Sequence, residues 1–297
     1  MAESIPLPDG RRLDLFLEGP ASGTPLLFHH GTPSSGLPDP AFVAALADHD
    51  LRYVAWSRPG YGDSTRREGR SVADVVDDVV AVLDHIGADR AYTLGWSGGG
   101  PHAMATAAAL PDRILGATTV GGVAPYPAEG IDWFEGMGPE NIEEFEASLQ
   151  GPEALITFKE RYWPIWRVMT SEEIAEAFGG LIDDVDRASL TGEFAEAVAA
   201  SSREGLRIGY WGWFDDDMAF SRDWGFDIGA IRVPVHIWQG AHDRMVPFVH
   251  GEWLAAHTGS ACAHLHQEHG HLTLVVDTIG PILDEMLAGD HGDRSLA

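Results

Sequence analysis

The five residues from Gly95 to Gly99 constrain the fold of this chain most strongly. They read Gly-Trp-Ser-Gly-Gly and stand between an apolar segment, Ala91–Leu94, and an alanine-rich segment that runs to Leu110. A strand, a sharp turn and a helix in succession would hold the serine in a strained backbone conformation, with glycines that allow close chain approach. The free N–H groups of the helix N-terminus would face developing negative charge. We therefore predict that Ser97 is a catalytic nucleophile on a strand-to-helix turn.

Short apolar runs alternate with amphipathic ones on both sides of this turn. Over Ser71–Ile86 the apolar residues recur at helical spacing, with Ser71 in the N-cap position and Gly87 as the stop. Such alternation of strands and helices predicts a parallel sheet with helices on both faces. The predicted strands are Arg12–Leu17, Pro25–His29, Leu51–Trp56, Ala91–Leu94, Leu115–Val120, Val233–Trp238 and Ala261–Gln267, and later helices are predicted over Pro247–His257 and Leu272–Leu287.

The alternation is interrupted by a long helix-like stretch after the fifth predicted strand. Residues 124–227 contain 23 acidic and 7 basic side chains and are rich in tryptophan. We predict a core domain over residues 1–123 and 229–297, with a helical cap inserted over residues 124–228 and packed on the core. The tryptophans of this stretch are Trp133, Trp163, Trp166, Trp211, Trp213 and Trp224.

An acid and a base suited to activate the serine follow the last two predicted strands. Asp243 lies in a loop after the Val233–Trp238 strand, and the carboxyl ends of parallel strands share one edge of a sheet. The segment His264–His271 offers four histidines that could take the serine proton. We assign this role to His271, which follows a glycine and directly precedes the last helix. His269 is the second candidate.

Acyl transfer also needs backbone N–H groups to bind the oxyanion. The segment His29–Pro33 directly follows the apolar run Leu26–Phe28, close to where the serine turn is expected. We assign the oxyanion hole to the backbone N–H groups of Thr32 and Gly98.

Ser97, Asp243 and His271 occur in the order Ser…Asp…His. With these motifs the chain resembles the α/β-hydrolase superfamily, especially capped bacterial serine hydrolases of the esterase and proline iminopeptidase-like group. The resemblance implies an α/β-hydrolase fold, a mostly parallel twisted sheet flanked by helices with an inserted helical cap. Ser57 stands where such families often carry an aspartate before Pro-Gly-x-Gly. The motifs are His30–Pro33, Arg58–Ser64, Gly95–Gly99, Gly240 with Asp243 and Val246–Pro247, and Gly270–His271.

A serine at the turn favours one reaction class within this superfamily. Haloalkane dehalogenases and epoxide hydrolases of this fold use an aspartate there, whereas serine fits acyl transfer to water. We expect hydrolysis of a carboxylic ester of a small or medium apolar substrate through an acyl-enzyme. The alternatives are a proline iminopeptidase-like aminopeptidase, a C–C bond hydrolase, and a non-catalytic binding protein on the same fold.

Composition limits the partners and the compartment. The net charge of −27 argues against nucleic acid and anionic membranes as partners, and no apolar stretch is long enough to span a bilayer. Cys262 is the only cysteine and no secretory signal is visible, which favours the cytoplasm. We predict no metal site and no cofactor, because no zinc-ligand spacing and no nucleotide-binding glycine pattern occurs. A small-molecule substrate and a monomer or homodimer are expected.

Overall fold

A computed structural model describes residues 3–291, which form one eight-stranded sheet covered by helices. Residues 1–2 and 292–297, the two ends of the predicted core domain, lie outside the described residues. The strands are β1 (Glu3–Pro6), β2 (Arg12–Glu18), β3 (Thr24–His29), β4 (Leu51–Trp56), β5 (Ala91–Trp96), β6 (Ile114–Val120), β7 (Val235–Gly240) and β8 (Ala261–His266).

The sheet order is β1-β2-β4-β3-β5-β6-β7-β8. The pairs β1–β2 and β2–β4 are antiparallel, and every later pair is parallel. The parallel part confirms the sheet expected from the alternation of elements. Its strands therefore end at one edge, where the loops after β3, β5, β7 and β8 meet.

Helices cover both faces of the sheet, so central strands are apolar on both sides. In β3, Leu26 and Leu27 are both fully buried although they point to opposite faces. One face packs against α2 (Val75–His85), α3 (Gly100–Ala109) and α10 (Phe248–His257), and the other packs against α1 (Pro40–Asp48) and α11 (Thr273–His291).

Six helices lie between β6 and β7, where the cap is predicted. They surround a hydrophobic cluster of their own, which also takes in Tyr61, Met245 and Leu272 from the loops at the sheet edge. The division of the chain into two domains stays a prediction. These helices are α4 (Pro139–Gln150), α5 (Pro152–Trp166), α6 (Ile174–Ala177), α7 (Asp184–Ser189), α8 (Gly192–Gly205) and α9 (Trp211–Phe220).

The first predicted helix begins later than expected. The pattern predicts helix from Ser71, but α2 begins at Val75. The hydroxyl and backbone N–H of Ser71 both donate to the Asp74 carboxylate, at 2.9 and 2.6 Å, and Asp74 rather than Ser71 is the residue that precedes the helix. At the other end, Gly87 has a φ angle of +66° and confirms the predicted stop.

Other differences concern short or displaced elements. Strand β1 and helix α1 have no counterpart in the prediction, and β7 begins and ends two residues later than predicted. Among the helices of the described chain, none combines the length and the apolar character needed to cross a bilayer.

Candidate active site

Ser97 lies on the turn between β5 and α3. Its φ angle is +56°, in the left-handed region that residues other than glycine rarely adopt. A single 3-10 turn, Ser97–Gly99, connects the strand to the helix. Such strain costs about 1–3 kcal/mol and is found most often at functional sites. The backbone conformation expected for this turn is therefore present at the serine itself.

Two glycines allow this turn to fit against its surroundings. A Cβ atom on Gly99 would lie 1.9 Å from the carbonyl oxygen of His29, and one on Gly95 would lie 2.2 Å from the carbonyl oxygen of Gly99. Both obstacles are backbone atoms that no side-chain rotation can move. The turn thus requires glycine at both positions, and Gly99 brings it against the end of β3.

Asp243 lies in the loop after β7, as predicted, and its carboxylate is fully satisfied. One oxygen accepts the backbone N–H groups of Met245 and Val246 at 2.9 and 2.7 Å. The other accepts the amide of Gln239 at 2.9 Å and pairs with Nδ1 of His271 at 2.7 Å. Four bonds fix the orientation of this carboxylate toward the imidazole.

His271 is buried in the loop between β8 and α11, and its ring stacks on Trp96 with centroids 5.6 Å apart. Burial by itself lowers the pKa of this imidazole, but the charge and hydrogen bond of Asp243 outweigh burial and raise the pKa above 6.5. Burial also raises the pKa of Asp243. His269, the second candidate, lies beside Asp277 instead, with 3.5 Å between Nε2 and the carboxylate.

Thr32 and Gly98 lie next to each other at the turn. A Cβ atom on Gly98 would approach Oγ1 of Thr32 to 2.5 Å, so the loop after β3 packs directly on the residue after Ser97. The structure therefore brings together the two residues assigned to the oxyanion hole. Ser97, Thr32 and His271 all line one cavity.

Arg58 and Asp216 form a buried network behind Thr32 that sequence reasoning did not identify. The Arg58 guanidinium donates to the carbonyl oxygens of His30 and Gly31 and to Oγ1 of Thr32. Oγ1 of Thr32 in turn donates to Asp216 on α9 at 2.7 Å, and Arg70 pairs with Asp216 at 2.6 Å. The loop that carries the predicted oxyanion donor is thus held from both the sheet edge and α9.

Asp216 is ionised within this network. Burial raises its pKa, but the charges of Arg58 and Arg70 outweigh burial and hold the pKa well below its ordinary value. In the sequence, Asp216 is the middle residue of three consecutive aspartates, which gave no reason to single it out. Arg58 lies in the Arg58–Ser64 motif, which contributes to the family resemblance. That motif was the one sequence signal for this network.

Asp186 on α7 supports the loop of the predicted base and was also missed. Its fully buried carboxylate accepts the backbone N–H groups of His271, Leu272 and Thr273 at 2.7–2.9 Å, and the Thr273 hydroxyl at 3.0 Å. These N–H groups stand at the N-terminus of α11, where helices lack internal acceptors and favour negative charge. No local pattern marks Asp186, because it caps a helix that begins 87 residues later.

The cavity beside Ser97 is lined mainly by apolar side chains from the sheet edge and the helical block. Of the tryptophans in the predicted cap, Trp166 and Trp213 line it, whereas the other four do not. Asp39, Glu140, Asn141 and Glu144 are the acidic and amide groups on its wall. The cavity can thus hold an apolar group and offers a few polar contacts.

Lys159 lies behind this wall as the only lysine of the chain, and it is fully buried. Its ammonium is 2.6 Å from Glu144, also pairs with Asp217, and lies 3.6 Å from the centre of the Trp213 ring. Burial and the charge of Glu144 raise the pKa of Asp217 well above its ordinary value. One cation thus serves a buried carboxyl group, Asp217, and a partly exposed one, Glu144, which favours a proton on Asp217.

The geometry agrees with the comparisons to known proteins. A family model for the alpha/beta hydrolase fold matches residues 24–145. The structure of a bromoperoxidase from Bacillus anthracis aligns with a TM-score of 0.72 at 21% identity, covering 97% of this chain and all of the other. The chain is therefore similar to α/β hydrolases in fold, and the family model matches about two fifths of its length. The predicted fold class is thereby confirmed.

Two sequence relatives of this chain align over most of their length. A non-heme chloroperoxidase from Streptomyces lividans is 28% identical over 77% of this chain and 78% of its own. A bifunctional esterase/perhydrolase from Acinetobacter calcoaceticus is 27% identical over 80% of this chain and 81% of its own. The similarity therefore covers about four fifths of each protein and is not confined to one short motif.

Proposed function

We propose that this protein is an α/β-fold serine hydrolase that cleaves carboxylic esters of small or medium apolar substrates through an acyl-enzyme. The observation that carries the proposal is the buried 2.7 Å contact between His271 and Asp243, which shares one cavity with a serine at a φ angle of +56°. A strained serine beside a carboxylate-oriented imidazole is the arrangement that serine nucleophiles need. The name of the Acinetobacter relative, an esterase/perhydrolase, supports the same reaction class.

In the proposed reaction, Oγ of Ser97 attacks the ester carbonyl carbon while His271 takes its proton. The backbone N–H groups of Thr32 and Gly98 bind the oxyanion, and each such donor typically contributes about 3–4 kcal/mol. The C–O bond then breaks, and His271 returns the proton to the leaving alcohol. Water, deprotonated by His271, releases the acid and restores Ser97. No step requires a cofactor.

The proposed site makes a direct test with an active-site probe possible. A fluorophosphonate should label the wild-type chain, because it phosphonylates an activated serine, and should not label Ser97→Ala. Ser201→Ala is the matched control, since Ser201 also lines the cavity but lies outside the proposed machinery. Folded wild-type protein that stays unlabelled would contradict the proposal and favour a binding protein on this fold.

An aminopeptidase of the proline iminopeptidase type is the second candidate, and one observation favours it. A carboxylate oxygen of Glu140 on the cavity wall is buried without a hydrogen-bond partner among the described residues. A substrate ammonium would satisfy this oxygen, as buried carboxylates require. Rates on p-nitrophenyl esters of graded chain length and on proline arylamides separate the two. Faster turnover of the arylamides would replace the esterase proposal.

The Acinetobacter relative is named an esterase/perhydrolase. The comparison of substrates should therefore also include hydrogen peroxide as an acyl acceptor that competes with water. Cleavage of a C–C bond by the same triad is tested by adding a diketone to the substrate panel. We also propose that the chain acts in the cytoplasm as a monomer or homodimer on a small molecule. Its single cysteine and net charge of −27 support this setting.

A further inference from the structure

Three potential metal ligands converge at the β8 edge of the sheet, away from the cavity. His236 on β7 is in register with Cys262 on β8, and His264 follows two residues later on the same face. Nδ1 of His236 and Nε2 of His264 are 3.2 Å apart, and a ring nitrogen of each histidine lies within 4.8 Å of the other and of Sγ of Cys262. The sequence predicts no metal site, because His236 lies on a different strand, far along the chain from Cys262 and His264.

The spacing of these atoms matches tetrahedral zinc coordination. Zinc binds histidine nitrogen at about 2.0–2.1 Å and cysteine sulfur at about 2.3 Å, which places two nitrogen ligands about 3.4 Å apart. The two imidazole nitrogens are already near that separation. Cys262 is exposed, so its side chain is free to rotate toward the same point.

The surroundings hold the two imidazoles in place. The ring of His264 stacks on Trp238 with centroids 4.0 Å apart and planes 7° apart, and His236 is buried. Thiolate and imidazole are ligands that zinc prefers in proteins.

We propose that His236, Cys262 and His264 bind one Zn²⁺ ion, with a fourth position open to water. The ion joins β7 to β8, the two strands whose following loops carry Asp243 and His271. Its role is structural, because it clamps the strands that position this pair rather than entering the cavity. Binding to the folded chain alone then stabilises it.

Cobalt is the probe that reports the ligands directly. The full-length chain without a polyhistidine tag is titrated with Co²⁺, and we expect thiolate-to-cobalt and tetrahedral absorption bands that saturate at one equivalent and disappear when Zn²⁺ is added. Cys262 is the only thiol, so its reaction with a disulfide reagent should slow when Zn²⁺ is present. Loss of outer-shell partners costs about 10–100-fold in metal affinity, so His264→Gln should weaken Zn²⁺ binding by at least about 100-fold.

His266→Gln is the matched control, because His266 lies on the same strand and stacks on the same Trp238 ring but is outside the cluster. It should bind Zn²⁺ like the wild type. Cys262→Ser, at an exposed position, tests the thiol without disturbing the core, and a chromophoric chelator measures its Zn²⁺ affinity. A wild-type cobalt spectrum without a thiolate band, or equal loss in His264→Gln and His266→Gln, would overturn the proposal and leave a hydrogen bond between two histidines.

Discussion

His271 is held at two points by two different carboxylates. Asp243 contacts Nδ1 of the ring, and Asp186 accepts the backbone N–H. The first contact sets the tautomer that leaves Nε2 able to accept a proton, and the second fixes where the residue stands. The charge of Asp243 also raises the pKa of the ring, whereas burial alone would lower it.

The pH dependence of activity follows from this balance. Only neutral His271 can accept the Ser97 proton, so kcat/KM should fall as pH drops through a midpoint above 6.5. In Asp243→Asn the burial remains without the opposing charge, so the midpoint should move to lower pH. We also expect kcat to fall by about 10⁴-fold, the cost of losing the correct tautomer. Rate profiles against pH for both proteins measure these effects.

Asp277→Asn serves as the matched control, because Asp277 is exposed and lies beside His269 instead. Its profile should overlay that of the wild type. If Asp277→Asn shifted the midpoint and Asp243→Asn did not, the assignment of the base to His271 would be wrong.

At the scale of elements, α11 depends on a residue that it does not contain. The carboxylate of Asp186 on α7 caps the N-terminus of α11 and at the same time positions the loop of His271. A Cβ atom on Gly270 would lie 2.4 Å from this carboxylate, so the loop and α7 are closely packed. The predicted cap therefore contributes to the site itself as well as to the cavity wall.

We expect Asp186→Ala to lower both stability and turnover. It leaves buried N–H groups without acceptors, each worth about 1–3 kcal/mol, and releases the loop of His271. Urea unfolding should show the loss of stability, and kcat should fall more than KM rises at a temperature where the variant stays folded. Asp184→Ala, an exposed acid on the same helix, should change neither. Normal kcat in folded Asp186→Ala would rule out a positioning role.

For the whole molecule, the helical block and the sheet edge share buried charges. Asp216 on α9 contacts Arg58, Arg70 and Thr32, all of which belong to the predicted core domain. Separation of the block from the core would expose these charges to solvent or leave them buried without a partner. We infer that the block is an integral part of the fold.

The shared charges predict one cooperative unfolding transition. Urea curves followed by tryptophan fluorescence and by far-ultraviolet circular dichroism should coincide. Asp216→Asn leaves two buried guanidiniums without their counter-ion and should lower the free energy of unfolding by about 3–5 kcal/mol. Asp223→Asn, at an exposed position in the same block, should leave the curve unchanged. Two separate transitions in the wild-type protein would contradict this inference.

The sequence by itself determined seven of the eight strands, the turn at Ser97 and the loop positions of Asp243 and His271. Each of these rests on a local pattern, such as the strand, glycines and helix around Ser97. Parallel strands bring such loops to one edge, so local patterns sufficed to predict that Asp243 and His271 would meet. The start of α2 at Val75 was not predicted, because the Asp74 carboxylate accepts the backbone N–H of Ser71 in a local turn before the helix.

Only the tertiary structure determined which side chains hold the predicted site residues in position. Asp186 lies 85 residues from His271, and Asp216 lies 184 residues from Thr32. The cluster of His236, Cys262 and His264 likewise depends on the register between β7 and β8. The sequence around any one of the 46 acidic residues does not indicate its partner. The pairing depends on how the helices pack across the sheet edge. Ionic and polar contacts of this kind follow from three-dimensional proximity, whereas strands, helices and turns follow from the chemistry of neighbouring residues.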